Sequence, residues 1–206
     1  LGDGFLALYP RSPDDALKAA IEIQQEIVIY NSFREKSGYQ AIELGIGVHH
    51  GLLTLGTVGE AGRMDTTVIA DSVNLASRLE ALTKAYGKGT IVPFSFLDLL
   101  QDPDAFHWRY LGKVRVQGRL EAIEAIHVYD GIPEAEFAAC DAGKRDFEEA
   151  LGLYRQGELQ QAEQAFGAIL EHNPDDRASK TYHARIRFLL EKGLPEDWDA
   201  VEMTSK

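Results

Sequence analysis

Two rhythms of apolar residues run through this chain, one with the period of a helix and one with that of a strand. After Ser12-Pro13-Asp14-Asp15, the residues Ala16, Ala20, Ile23, Ile27 and Tyr30 fall three or four positions apart, which draws one apolar stripe along a helix. Ser12 suits the cap of that helix, Pro13 its first position and the two aspartates its first turn, while Ser37–Gly38 should end it. The strand rhythm is clearest where Ile42, Leu44, Ile46 and Val48 alternate with Glu43, Gly45, Gly47 and His49. A tight turn at His50–Gly51 predicts that this strand pairs as a hairpin with Leu52–Val58.

Weaker signals place the remaining elements. Gly4–Pro10 is a short apolar strand leaving an Asp3–Gly4 turn, and Gly59–Arg63 reads as a loop. Asp65–Ala70 is a further strand. Asp71 or Ser72 then caps a helix that runs to about Ala85 and is ended by Gly87 and Gly89. Ile91–Val92 is a short strand, Ser95–Leu100 a short helix, and Tyr110–Val116 with Ile123–Tyr129 an antiparallel pair about Gly118–Arg119. Strand, helix, hairpin, helix and further strands predict an α+β sandwich over residues 1–130. Past the linker-like Gly131–Pro133 the residues are helix formers without a strand signal. Gly157, Pro174 and Gly193 divide residues 131–206 into two or three helices, an all-α tail.

Composition narrows the function. The chain has 206 residues, is 45% hydrophobic and 26% charged, and so holds enough apolar material for a core. A net charge of -12, without any Lys/Arg block, argues against nucleic acid as a partner and against an anionic membrane surface. The single cysteine, Cys140, excludes an intramolecular disulfide framework and a cysteine-based zinc site, and it fits a reducing, cytoplasmic setting. No apolar run reaches the ~18–20 residues of a membrane span. The chain opens on Leu1, within a predicted strand, which leads us to expect a fragment of a longer protein.

The passage Gly45-Ile46-Gly47-Val48-His49-His50-Gly51, followed by Val68-Ile69-Ala70-Asp71-Ser72-Val73-Asn74-Leu75-Ala76-Ser77-Arg78-Leu79-Glu80, resembles the class III adenylyl/guanylyl cyclases. Gly2-Asp3-Gly4-Phe5 is similar to a hairpin of that family, and Leu111–Gly118 to a late segment of it, so the resemblance covers residues 1 to about 130. It implies a ferredoxin-like cyclase sandwich, truncated here, that converts ATP to cyclic AMP and pyrophosphate with two divalent metal ions, Mg²⁺ or Mn²⁺. It also implies a second cyclase protomer packed head to tail, each site drawing its metal Asp from one protomer and its Asn and Arg from the other. Asp3 then corresponds to the second of the two metal-binding carboxylates, Asn74 orients the ribose, Arg78 stabilises the α-phosphate, and Thr67 contacts the purine. Thr at that position points to adenine, with guanine as the other choice. Asn74 and Arg78 sit four apart, on one face of the helix, with Leu75, Leu79 and Leu82 on the core side.

Several departures bear on activity. The family's first metal Asp, its phosphate-cradling backbone and a purine-selecting Lys would all precede residue 1, so the chain by itself is expected to make no cyclic nucleotide. Ala70 stands where the family usually has Gly, and Gln117 where it often has Lys, with Arg119 two residues on. His49 and His50, adjacent on a strand, point to opposite faces and cannot easily chelate one metal. Gly45 and Gly47, inside a strand, read as sites of close backbone packing and not as a phosphate loop. In the tail, Ala150, Gly157, Ala162, Phe166 and Pro174, with Tyr154, fall on the small, aromatic and proline positions of a tetratricopeptide repeat. One repeat cannot bury its own apolar face, so these helices must pack on each other, on the cyclase-like domain or on a protein partner. The alternative function is a non-catalytic, cyclase-like docking or regulatory module.

Overall fold

The first helix, α1 (Pro13–Lys36), begins where local chemistry says it should. Ser12 is extended (φ -148°) and its Oγ accepts the Asp14 N–H at 3.1 Å, while Ser37 and Gly38 (φ +77°) close the other end. The computed structural model describes residues 4–60, 63–69, 71–115, 122–195 and 198–203. The expected stripe is offset. Asp14, Leu17, Ala20 and Gln24 are buried, whereas Ile23 and Ile27 are half-buried and Tyr30 is exposed. The polar members are buried because each serves backbone groups. Gln24 Nε2 donates to the Leu44 carbonyl (2.8 Å) and the Gly89 carbonyl (3.2 Å), and the Asp14 carboxylate accepts the Gln101 N–H at 3.3 Å.

Among the described residues seven strands lie in two sheets: β1 (Gly45–Gly47), β2 (Thr54–Glu60), β3 (Arg63–Ile69), β4 (Gly89–Pro93), β5 (Trp108–Arg115), β6 (Ile123–Val128) and β7 (Glu202–Met203). The main sheet has the order β1-β4-β6-β5-β7, with β1 parallel to β4, β6 antiparallel to β4 and β5, and β7 parallel to β5. The expected hairpin of Ile42–Val48 with Leu52–Val58 is not formed. Instead β2 pairs with β3 in a separate ribbon, in register from Thr54↔Ile69 to Glu60↔Arg63, so Gly59, Glu60 and Arg63 of the predicted loop are strand. Gly4–Tyr9 is not a strand either. It finds no ladder partner among the described residues, and Phe5 is 66% exposed.

Helix α2 (Asp71–Tyr86) packs across β1, and the described residues of the tail form four helices: α3 (Glu134–Ala142), α4 (Lys144–Arg155), α5 (Leu159–His172) and α6 (Arg177–Lys192). The tail is not helical to its end, since β7 joins the sheet edge, which corrects the all-α expectation there. Alternation along the strands divides the core in two. On one sheet face Val92, Ile126 and Val128 meet Leu17 of α1 with Phe96, Leu97 and Leu100. On the other, Ile91, Leu111, Val114 and Ala125 share a cluster with Leu75, Leu79, Leu82 and Tyr86 of α2. Phe147, Leu151, Tyr154, Phe166, Tyr182 and Ile186 of the tail belong to that same cluster. The chain's texture changes near residue 130, but its core continues past it.

Buried polar groups sit within this second layer, among them Arg109, Asp176 and His127. Arg109 of β5 and Asp176, the N-cap of α6, form a bidentate pair at 2.8 and 2.7 Å, and the guanidinium lies 4.5 Å from the Phe147 ring centroid. Burial would raise the Asp176 carboxyl, yet the Arg109 hydrogen bonds and charge hold it below the usual carboxylate range. His127 of β6 is buried, and its Nε2–H donates to the Lys88 carbonyl at 2.5 Å. Burial first, and the Arg109 charge second, push its pKa down from 6.5 to about 4. A depressed folded-state value means that the unfolded chain binds the extra proton. Stability is then full above pH 6.5 and falls as the pH drops toward 4, at up to about 1.4 kcal/mol per unit. Thermal melts across that range should show this slope, and His127→Gln should flatten it.

Candidate active site

Helix α2 owes its position to glycines. A Cβ on Gly47 would lie 2.1 Å from the Ala76 carbonyl oxygen, and one on Gly45 would lie 2.0 Å from Thr83 Oγ1, so only glycine lets the helix backbone rest on β1. That bears out the close-packing reading of this pair. At the other end, Ser72 Oγ donates to the Leu52 carbonyl at 2.9 Å and ties the first turn of α2 to the approach of β2. Leu75, Leu79 and Leu82 are buried, as their spacing required.

The polar side of α2 carries Asn74, exposed, and Arg78, half-buried, one helical turn apart. An amide and a guanidinium presented together suit a ligand with both neutral and anionic oxygens. Thr67 lies on β3 with Gly56 as its Cα partner across the ribbon, seven residues before Asn74. Asp3 lies outside the described residues. It is an oxygen donor of the kind that hard divalent cations take. Among the described residues, no three His, Cys, Asp or Glu gather into a group able to hold a metal ion.

Beside this face a cleft of about 720 Å³ opens between Gly4–Arg11, α1, the β1 segment and α2. Val73, Ala76, Ser77 and Glu80 line it, whereas Asn74 and Arg78 do not. Its rim holds a charge network that sequence reasoning missed. Arg177 Nη2 meets Glu43 at 2.7 Å, and Lys88 meets Glu136 at 2.9 Å and Glu43 at 3.6 Å. Burial would raise Glu43, but Arg177 and Lys88 together draw it below the ordinary glutamate value. Glu43 and Arg177 are 134 residues apart, so no local pattern could have joined them. No helix among the described residues is long and apolar enough to cross a membrane.

Residues 1–129 match the family described as the adenylate and guanylate cyclase catalytic domain, and the chain belongs to that family. Over 134 residues it is 42% identical to an adenylate cyclase of Anabaena cylindrica, a stretch that takes in 62% of this chain and 27% of that protein. Over 193 residues it is 30% identical to the terminal-differentiation specific adenylate cyclase of Dictyostelium discoideum, covering 90% of this chain and 9% of that one. The second span necessarily extends past residue 129 into the helices. Among solved structures, the adenylyl cyclase CyaB from P. aeruginosa aligns with a TM-score of 0.49 at 24% identity, covering 59% of this chain and 62% of that one. The matched stretches are thus about a quarter or less of the length of these curated relatives.

Proposed function

We propose that this chain supplies the Asn and Arg half of a class III cyclase site, in a protein that converts ATP to cyclic AMP and pyrophosphate during cytoplasmic signalling. The observation that carries this reading is the exposed side of α2, where Asn74 and Arg78 stand one turn apart within the family's own segment. In the reaction the ribose 3′-oxygen bonds to the α-phosphorus, the bond from that phosphorus to the pyrophosphate oxygen breaks, and the hydroxyl proton is lost to solvent. The Asn74 amide orients the ribose. The Arg78 guanidinium holds the charge that builds on the α-phosphate oxygens. Thr67 faces the purine, for which the likeness to adenylate cyclases favours adenine. Asp3, as the second of the family's two metal-binding carboxylates, would help hold two divalent ions, Mg²⁺ or Mn²⁺, at the partner protomer's site, and these when bound would acidify the 3′-hydroxyl and neutralise the phosphates.

The site is completed by a second cyclase protomer packed head to tail, and the sheet belongs to the family's ferredoxin-like sandwich. Residues 131–206 form a tetratricopeptide-like unit. In support, Ala150, Ala162 and Phe166 are fully buried, Gly157 takes φ +80°, and Pro174 follows the end of α5. Its outer face, with Phe188 exposed, is where a protein partner would bind. Arg78→Ala tests the reading in the cyclase assembly that contains this chain. It should lower kcat about 10²–10³-fold with little change in KM, because a contact made in the transition state is lost. Near-parental turnover would reduce Arg78 to a surface charge.

A further inference from the structure

The strongest unassigned feature lies at the far end of α2, where a tail helix terminates it. The last four carbonyls of an α-helix have no donor within the helix. The Ala85 carbonyl is one of these, and it accepts the Thr181 Oγ1–H of α6 at 2.8 Å, across 96 residues of sequence. The next residue of each helix reinforces the contact, with the Tyr86 and Tyr182 ring centroids 6.1 Å apart.

Helix α6 is itself held at three points, two on the sheet and one on the segment ahead of it. Asp176 pairs with Arg109 at its N-terminus, and Arg177 pairs with Glu43 ahead of β1. The Tyr182 hydroxyl donates to the Leu111 carbonyl of β5, and neighbouring Gly112 (φ +94°) admits it, since a Cβ there would lie 2.7 Å from that oxygen. The sheet, through α6, therefore sets where α2 ends. Arg78 lies seven residues before Ala85, about 10 Å along the same uninterrupted helix.

We propose that α6 is a built-in brace of α2, and that Thr181 is a positioning residue for Asn74 and Arg78. This rests on the reading of those two residues as site groups, but the brace can be tested without it. Hydrogen exchange on the 206-residue chain, with no nucleotide present, should show amides of 71–86 exchanging about fivefold faster in Thr181→Val, the effect of one lost hydrogen bond. Amides of β6 should change much less, and Thr181→Ser should restore protection. Equal changes in α2 and β6, or none in α2, would overturn the brace. If Thr181→Val does not fold, the unmodified chain in low urea decides. Amides at the end of α2 and in α6 should open along one common curve, and separate curves would overturn the proposal. In the assembly used for Arg78→Ala, Thr181→Val should lower kcat several-fold at unchanged KM, with rescue by serine. If Arg78→Ala leaves turnover intact while the exchange result holds, the cyclase reading fails and the brace stands.

Discussion

Cutting the chain after Asp130 should leave residues 1–130 without a cooperative fold. Leu75, Leu79, Leu82, Tyr86, Leu111 and Val114 lie in one cluster with Phe147, Leu151, Tyr154 and Tyr182 of the tail. Each of the first six is worth ~1.5–3 kcal/mol when fully re-exposed, so losing half of that burial costs on the order of 5–9 kcal/mol. A whole domain is commonly stable by only ~5–15 kcal/mol. Removal also strips Thr181 from the end of α2 and Asp176 from the buried Arg109. Thermal and urea unfolding of the truncated chain, followed by circular dichroism, should give a broad, shallow change and strong binding of a dye for apolar surface. A sharp transition like that of the full chain would mean the tail is dispensable to the core.

Asp176→Ala should destabilise the full chain by about 3–5 kcal/mol, because it strands the Arg109 charge inside the second layer. It also removes the cap of α6, where the Asp176 carboxylate accepts the N–H groups of Ala178 (3.1 Å) and Ser179 (3.3 Å). Urea titration reads the loss as a lower midpoint at an unchanged slope. The double variant Arg109→Met with Asp176→Ser takes out both charges while keeping a capping oxygen, and it should recover most of the loss. A single variant within about 1 kcal/mol of the parent would show that water reaches the guanidinium readily enough to replace its partner.

The local chemistry of the chain determined much by itself. Ser12-Pro13 and Ser37–Gly38 bound α1, Gly87 (φ +121°) and Gly89 (φ +117°) follow α2, and the leucine spacing of α2 chose its buried side. Such features are written within a few residues, since capping, positive φ and helical period are short-range effects. The cyclase-like segment was legible through its resemblance to the family, and helical period alone sets Asn74 and Arg78 one turn apart within it. Where long-range partners decide, sequence reading failed. Gly4–Tyr9 has a strand's composition but no ladder partner among the described residues, and β2 turned to β3 and not to β1. Gln24 took a place on the buried face of α1 because two carbonyls distant in sequence needed its amide. The linker at Gly131–Pro133 reads as the edge of a domain. Only the tertiary structure placed Phe147, Tyr154 and Tyr182 in the same core as α2, because apolar burial depends on which faces meet, not on distance along the chain.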